Sequence, residues 1–176
     1  MVLETPRLAL RKFTPEDAPF ILRLLNEPSF LHFIGDRNVR TLEDARQYLL
    51  NGPIASYEQY GFGLYLTVRK SDGVAVGMCG LLKRDALPEA DIGFAFFPEF
   101  WSHGYARESA SAVMEHARRV HGLTRILAIV SPDNERSIRL LHRLGMRFES
   151  TVRLSMEAPE LKLFAADISE PEDTPA

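Results

Sequence analysis

The chain has 176 residues, of which 45% are hydrophobic and 26% are charged, and its formal net charge at pH 7 is −3. This length and composition are ordinary for one folded domain and exclude a largely disordered chain. The charge is close to neutral, and no cluster of Lys and Arg is interleaved with aromatic residues. We therefore expect neither nucleic acid nor a membrane surface as a partner.

Cysteine and histidine usage narrows the class further. Cys79 is the single cysteine, so an intrachain disulfide is excluded and a reducing, cytoplasmic location is expected. The histidines do not have metal-ligand spacing, and one cysteine cannot complete a zinc set. We predict no metal site, and no apolar run is long enough for a membrane span.

The first sixty residues contain one predicted strand and two predicted helices. Alternating polarity over Arg7–Phe13 predicts the strand, and Thr14-Pro15 then supplies a helix start. A second helix is predicted at Leu42–Leu50, because Thr41 is a suitable N-cap. We expect this helix to stop at Asn51-Gly52-Pro53.

Three strands and a long helix follow. Phe62–Arg69 and Val74–Leu82 are joined through Asp72-Gly73, a turn sequence typical of antiparallel hairpins. Asp91–Phe97 is also strand-like, and the next amphipathic segment runs from Gly104 to a terminator at Gly122.

The remaining elements complete a mixed α/β order without internal repeats. They are a strand at Arg125–Val130, a helix at Asn134–Leu144, and closing strands at Arg147–Leu154 and Leu161–Ile168. The length of the helical crossover predicts that the Arg125 strand lies parallel to the Asp91 strand. Residues 1–168 are predicted to form one domain, and residues 169–176 a disordered acidic tail.

One segment predicts an anion-binding device. Trp-Ser-His-Gly-Tyr-Ala-Arg-Glu, residues 101–108, places a small-residue turn before the amphipathic helix. The first N–H groups of a helix lack internal partners and carry the positive end of its dipole, so they can bind a diphosphate. Gly104 has no Cβ and lets a ligand approach the backbone. Taken alone, these residues favour an ordinary strand–helix turn.

A second segment, Ser-Pro-Asp-Asn-Glu-Arg-Ser at residues 131–137, changes that interpretation. Together, Phe-Pro-Glu-Phe-Trp-x-x-Gly-Tyr-Ala-x-Glu and Ser-Pro-Asp-Asn-x-x-Ser-Ile-x-Leu-Leu-x-x-Leu-Gly resemble the acyl-CoA-binding half of the GNAT superfamily of N-acetyltransferases. Leu3–Arg11 resembles the opening strand of the Rim-type branch, which acetylates ribosomal-protein N-termini. Residues 31–60 and the acidic tail fall outside this resemblance.

The resemblance implies a mixed α/β GNAT fold. Its central sheet would be mostly antiparallel, with six to seven strands, a splayed parallel pair and about four flanking helices. It also implies acetyl-CoA as the co-substrate, with the pantetheine arm lying between the splayed strands as if it were an extra strand.

Cofactor-binding residues follow from their positions in the two motifs. They are Phe96, Phe97, Trp101, Ser102, His103, Gly104, Tyr105, Ala106, Arg107 and Asn134. The two phenylalanines would bind through main-chain groups. Trp101 stands where the family often has Arg or Gln, and Ser102 where it often has Gly. Asn134 has the alternative role of an ordinary helix cap.

The catalytic candidates are few. Asp91 lies at the mouth of the central strand, and alternation would place Glu89 on the same face, so either could accept the amine proton. The alternative is that both are solvated turn carboxylates. The tyrosine that many GNAT enzymes place near the sulfur corresponds to Leu141 here. The resemblance transfers that role to Ser137, whose alternative reading is a surface helical serine.

The sequence therefore predicts an N-acetyltransferase that moves an acetyl group directly from acetyl-CoA to a primary amine. The acceptor would be a protein N-terminus or a small molecule, and Asp36 or Glu58 could attract a cationic amine. The alternative is a non-catalytic acyl-CoA-binding sensor or interaction module. Apolar residues in Leu161–Ala165 could serve the core or a homodimer contact. A dinucleotide-binding domain is disfavoured because its acidic ribose partner is missing.

Overall fold

The computed structural model of the chain describes residues 1–170. Residues 171–176 of the predicted tail lie outside the described residues. The described strands form one eight-stranded sheet, in the order β1-β2-β3-β4-β5-β6-β8-β7. They are β1 (Leu3–Glu4), β2 (Leu8–Lys12), β3 (Leu64–Arg69), β4 (Val74–Leu82), β5 (Asp91–Phe96), β6 (Arg125–Val130), β7 (Arg147–Val152) and β8 (Leu161–Asp167).

Within residues 1–170, six α-helices accompany this sheet. They are α1 (Ala18–Leu25), α2 (Pro28–Phe33), α3 (Leu42–Leu49), α4 (Ala55–Tyr60), α5 (Tyr105–His121) and α6 (Glu135–Arg143). Short 3₁₀ turns at Pro15–Asp17 and Pro98–Phe100 lead into α1 and follow β5. The mixed α/β fold is confirmed, with one more strand than expected. Leu3–Glu4 forms a separate short strand because the chain bends at Pro6 before β2 begins.

The predicted pairings of the central strands are confirmed. β3 and β4 pair antiparallel on either side of the Asp72-Gly73 turn, and Gly73 has a φ of +72°. β5 and β6 pair parallel. All other neighbouring strands in the sheet pair antiparallel. A single parallel pair therefore lies near the middle of an otherwise antiparallel sheet.

Adjacent residues on one strand point into opposite cores. Phe96 packs on the α5 side of the sheet, with Ala110 and Val113 of that helix. Phe97 packs on the other side, where Ile21 and Leu25 of α1 cover the sheet. This is the period-two alternation of a strand, and it fills both layers from one short segment.

The predicted end of the second helix is wrong. Instead of stopping at Asn51-Gly52-Pro53, α3 continues through a π-helical turn at Leu50–Ile54 into α4. The wider turn accommodates Pro53, which has no N–H to donate. The helix ends at Gly61, whose φ is +78°, a left-handed conformation that glycine adopts without steric cost.

The residues proposed for either a core or a dimer contact belong to the core. Leu163 and Phe164 of β8 are buried, and β8 lies between β6 and β7. The exposed strand at this edge of the sheet is β7.

Candidate functional site

The parallel strands β5 and β6 separate soon after they meet. Asp91 and Leu127 are the one pair of facing residues in their register, and the Leu127 N–H donates to the Ala90 carbonyl at 3.0 Å. Beyond this point the strands no longer pair, and a cleft of ≈ 800 Å³ lies beside the end of β5. Its lining includes Phe94 and Phe96 from β5 and the first residues of α6. The predicted splayed parallel pair is thus present, and β5 and α6 line the cleft beside it.

Phe96 and Phe97 have different relations to this cleft. The Phe97 N–H donates to the Val76 carbonyl in β4 at 3.1 Å, and its side chain is 1% exposed beneath α1. Because backbone groups alternate along an antiparallel ladder, those of Phe94 and Phe96 face the gap. Phe94 therefore takes the place that the sequence analysis gave to Phe97.

Trp101 organises the end of β5. Its indole Nε1–H donates to the Phe96 carbonyl at 2.9 Å, so this backbone acceptor is already used by the protein. The guanidinium of Arg136 from α6 lies 4.7 Å from the centre of the indole ring. The same guanidinium donates to the Ser102 hydroxyl at 3.2 Å. Arg136 thereby joins the start of α6 to the turn before α5.

The turn itself is held in a left-handed conformation. Ser102 has a φ of +65° and Gly104 a φ of +80°. Glu108 N–H is the first that donates within the helix, to the Gly104 carbonyl at 3.0 Å. The N–H groups of Tyr105, Ala106 and Arg107 precede it, so they lie at the positive end of the α5 dipole. Gly104 and these three residues line the cleft.

His103 is not part of the cleft lining. Its Nδ1 lies 2.8 Å from the Trp101 carbonyl, and its ring stacks on that of Tyr105 with centroids 5.4 Å apart. The His103 carbonyl accepts from Arg7 Nη1 at 2.8 Å. The sequence analysis placed His103 among the cofactor-binding residues. In the structure its ring and its carbonyl contact Trp101, Tyr105 and Arg7.

The cleft is rich in arginine. Charged side chains in its lining are Arg107, Arg136, Arg139 and Arg143, with Glu27, Asp133 and Glu135. Arg139 lies 3.8 Å from Glu135, a weak exposed pair. The α5 N–H groups, a glycine turn without a Cβ and this set of guanidiniums suit the phosphates of a coenzyme A molecule. The donor chemistry of the cleft therefore fits acetyl-CoA.

A second cavity of ≈ 170 Å³ adjoins the cleft at the point where β5 and β6 meet. Phe94, Ala95, Asn134 and Ser137 border both spaces. Asp91 lines only this second cavity, which we call the inner cavity. The two candidate catalytic residues, Asp91 and Ser137, are thus brought to one cavity that adjoins the cleft.

Asp91 is buried and paired. Its side chain is 1% exposed, and Arg84 Nε lies 3.1 and 3.2 Å from its two carboxylate oxygens. Burial raises the pKa of this carboxyl above its ordinary value, and the charge and hydrogen bond of Arg84 oppose part of that rise. A carboxylate with a raised pKa is a stronger base than one in water.

Ser137 lies in the first turn of α6. Asn134 is the N-cap, and its side-chain oxygen accepts from the Ser137 N–H at 3.2 Å. The cap role of Asn134 is therefore observed, and it leaves the amide NH₂ of that side chain for other partners. Leu141, which stands where many GNAT enzymes have tyrosine, also lines the inner cavity.

Glu89 is not brought to this cavity. Its carboxylate lies 3.8 Å from Arg125 Nε, and it is absent from the lining of the inner cavity. Strand alternation was the reason for placing Glu89 beside Asp91. It does not apply, because β5 begins only at Asp91 and Glu89 lies in the preceding bend.

Neither of the residues proposed to attract a cationic acceptor lines the cleft or the inner cavity. Asp36 pairs with Arg40 at 2.5 Å. Glu58 is outside the lining of both the cleft and the inner cavity.

Cys79 is 0% exposed, and burial raises the pKa of its thiol to about 12. Such a thiol is not ionised at neutral pH and is a poor nucleophile. Across residues 1–170 no group of His, Cys, Asp or Glu could hold a metal ion. In the same part of the chain no helix is long and apolar enough to cross a membrane.

Sequence reasoning missed Arg84, Arg136 and Arg7. Arg136 lies inside the Asn-x-x-Ser motif, and its position in the first turn of a helix facing a phosphate site was a usable signal. Arg7 lies within the recognised opening segment, where only strand character was considered. Arg84 had no local signal, because its contact with Asp91 depends on how the intervening turn folds.

Comparisons with known proteins agree with this geometry. The family model of the acetyltransferase (GNAT) domain matches residues 7–147. The uncharacterized N-acetyltransferase YoaA of Bacillus subtilis (strain 168) is 31% identical over 157 residues, which cover 88% of each chain.

Solved structures share the fold. An acetyltransferase from Agrobacterium tumefaciens has a TM-score of 0.79 at 22% identity, covering 93% of this chain and 92% of that one. RimL, a ribosomal L7/L12 α-N-protein acetyltransferase solved with coenzyme A, has a TM-score of 0.81 at 18% identity, covering 95% and 97%. The chain therefore belongs to the GNAT acetyltransferase family.

Proposed function

We propose that this protein is an acetyl-CoA-dependent N-acetyltransferase that moves the acetyl group directly to a primary amine. The observation that carries the proposal is that Asp91 and Ser137 line one cavity, which adjoins the arginine-rich cleft and shares Asn134 and Ser137 with it. A buried base and a hydroxyl donor thus lie where the end of the pantetheine arm would reach. Acetyl-CoA supplies the activated thioester, and the protein supplies binding, orientation and proton transfer.

Asp91 takes the proton that the amine must lose before its nitrogen can form the new C–N bond. Burial raises the pKa of this carboxyl, so that it retains a proton better than an exposed aspartate. Arg84 holds the carboxylate by both oxygens and fixes its direction. The amine then reacts in its neutral form.

Ser137 Oγ supplies a proton to the sulfur as the C–S bond breaks, and it regains one from solvent. The Ser137 backbone is fixed by the Asn134 cap, so the hydroxyl is held in the first turn of α6. The inert thiol of Cys79 supports transfer without a covalent enzyme intermediate. The alternative function is a non-catalytic acyl-CoA sensor. It would need the cleft but neither Asp91 nor Ser137 as a proton-transfer group.

The assignment to the Rim-type branch is part of this proposal. It is supported by the opening segment Leu3–Arg11 and the Asn-x-x-Ser element, which the sequence shares with that branch. Membership of this branch concerns sequence relatedness and does not specify the acceptor amine. A cytoplasmic location and a homodimer also remain proposals. The unpaired Cys79 suits a reducing compartment.

Calorimetric titration with acetyl-CoA tests the cleft, with Gly104→Ala compared to Gly122→Ala. Both glycines have a positive φ, +80° and +64°, so alanine is strained at both. At Gly104 alone the new Cβ stands at the phosphate turn, 3.2 Å from Arg7 Nη2. We expect at least tenfold weaker binding for Gly104→Ala and unchanged binding for Gly122→Ala. Equal acetyl-CoA affinities of the two variants would contradict the assignment of the cleft as the acetyl-CoA site.

Turnover tests the chemistry, with release of free thiol measured over a panel of amines. Asp91→Asn should lower kcat by about 10²-fold or more, the range for loss of a general base. Ser137→Ala keeps the backbone cap and should lower kcat with little change in acetyl-CoA affinity. Full activity in both variants, or binding of acetyl-CoA without turnover of any amine, would favour the sensor.

A further inference from the structure

The inner cavity carries an excess of positive charge. The charged side chains in its lining are Arg37, Arg84 and Asp91. Two guanidiniums therefore face one carboxylate. Most acceptor amines are cations in water, so a cavity of this sign is unfavourable for an amine that brings no negative charge of its own.

Arg37 and Arg84 line the same cavity wall. Tyr48 also lines the cavity. Arg84 uses Nε for Asp91, so its terminal amino groups remain for another partner. Within residues 1–170, Arg37 has no carboxylate within 4.0 Å.

Apart from Asp91, no acidic residue of the described part of the chain lines the cavity. Asp36, next to Arg37 in the chain, is turned to Arg40. Glu89 is at Arg125. Because Arg84 contacts Asp91 only through Nε, an incoming carboxylate can be a second partner for its terminal amino groups.

The rest of the wall is apolar, and the space is small. Phe33, Ile34, Leu82, Leu154 and Leu161 contribute to it. The volume of ≈ 170 Å³ is below the range of about 300–1,000 Å³ that is typical of drug-sized ligand sites. An acceptor of amino-acid size suits this cavity, with its apolar group against the leucines.

We infer that the acceptor is a small amine that carries a carboxylate next to the amine and an apolar side group, as a hydrophobic α-amino acid does. Arg37 and the free end of Arg84 bind the carboxylate, and this places the amine beside Asp91. The amine proton passes to Asp91, the acetyl C–N bond forms and the C–S bond breaks. The inference rests on the proposed acetyltransferase function and specifies its substrate.

The test compares acceptors that differ only in the carboxylate. Thiol release is measured with acetyl-CoA and L-leucine, L-leucinamide or 3-methylbutylamine, and with spermidine as a polycation. We expect kcat/KM for L-leucine to exceed that of the amide and of 3-methylbutylamine at least tenfold, with spermidine the poorest. Equal or better turnover of the carboxylate-free amines would overturn the inference while leaving the acetyltransferase function intact.

Arg37→Gln removes one of the two guanidiniums without touching Asp91. It should raise KM for L-leucine about tenfold and reduce the preference for the acid over the amide. Arg46→Gln is the matched control, because Arg46 is exposed on α3 and outside the cavity. An unchanged preference in Arg37→Gln would contradict the inference.

Binding measurements distinguish failure of the proposed acetyltransferase function from failure of the proposed acceptor class. L-leucine is titrated calorimetrically into the protein saturated with coenzyme A, and acetyl-CoA is titrated into the protein alone. Failure of acetyl-CoA to bind would overturn the proposed function itself. If acetyl-CoA binds while L-leucine neither binds nor is acetylated, only the acceptor class is wrong.

Discussion

Arg7 and Glu108 form a two-point contact between the start of β2 and the first turn of α5. The Arg7 backbone N–H donates to Glu108 Oε1 at 2.9 Å, and Arg7 Nε donates to Oε2 at 2.7 Å. Thr5 Oγ1 adds a third bond to the same carboxylate at 2.6 Å. Arg7 Nη1 also holds the His103 carbonyl. The opening segment of the chain therefore holds the turn that we propose to bind the phosphates.

Replacing Arg7 with Met should weaken acetyl-CoA binding although Arg7 is outside the cleft lining. Its loss frees the turn at His103 and leaves Glu108 partly buried without its cation. We expect a several-fold rise in Kd by calorimetry, together with a loss of about 1–3 kcal/mol in the free energy of unfolding. Arg119→Gln, at an exposed position on the same helix, is the control. If Kd stays at the wild-type value in Arg7→Met, the contact of Arg7 with Glu108 and His103 stabilises the fold without contributing to acetyl-CoA binding.

The stability supplied by Glu108 should depend on pH. Burial raises the pKa of this carboxyl, but the bonds from Thr5 and Arg7 outweigh it and set the pKa below the ordinary value of 4.5. A lowered folded-state pKa contributes stability that is present above pH 4.5 and is lost as the pH falls through the folded value. The difference in free energy of unfolding between wild type and Glu108→Gln should therefore shrink on acidification below pH 4.5. Denaturant titrations at pH 7, 4.5 and 3.5 measure it, and a constant difference would refute the linkage.

The value of kcat/KM should fall at low pH as Asp91 becomes protonated, and we call this fall the acid limb of the pH profile. Because burial raises the pKa of this carboxyl, kcat/KM should begin to fall at a pH above that of an ordinary aspartate. Arg84 opposes the rise, so Arg84→Gln should shift the limb to still higher pH. Arg84→Lys keeps the charge and should shift it less. The pH profile of kcat/KM for one amine checks this order, and coincident profiles would mean that another group titrates.

Local sequence patterns predicted those parts of the fold that local chemistry determines. Asp72-Gly73 placed the β3–β4 hairpin, and the crossover length gave the parallel β5–β6 pair. The error at Leu50–Ile54 arose because Asn-Gly-Pro normally stops a helix, whereas tertiary packing of Tyr57 and Leu49 carries the helix onward.

The sequence motifs predicted part of the candidate site, and contacts that depend on the folded chain were missed. The turn at residues 101–104 and Ser137 follow from the resemblance. Arg84 and Asp91 pair across a turn without regular structure, and Arg7 and Glu108 are 101 residues apart. Neither pattern nor spacing encodes such contacts, since they depend on how the turn and the sheet fold.

Two substitutions of Ser102 test whether the left-handed turn is strained, with Ser102→Ala as the control for Ser102→Gly. Its φ of +65° disfavours a residue with a Cβ by roughly 1–2 kcal/mol, and glycine would remove this strain. Ser102→Gly should therefore raise the free energy of unfolding by about 0.5–1 kcal/mol, because the hydroxyl bond from Arg136 is lost at the same time. Ser102→Ala loses that bond and keeps the strain, so it should be less stable than wild type. Chemical denaturation of the three proteins measures the order, and a glycine variant no more stable than the alanine variant would show that the left-handed turn stores no strain.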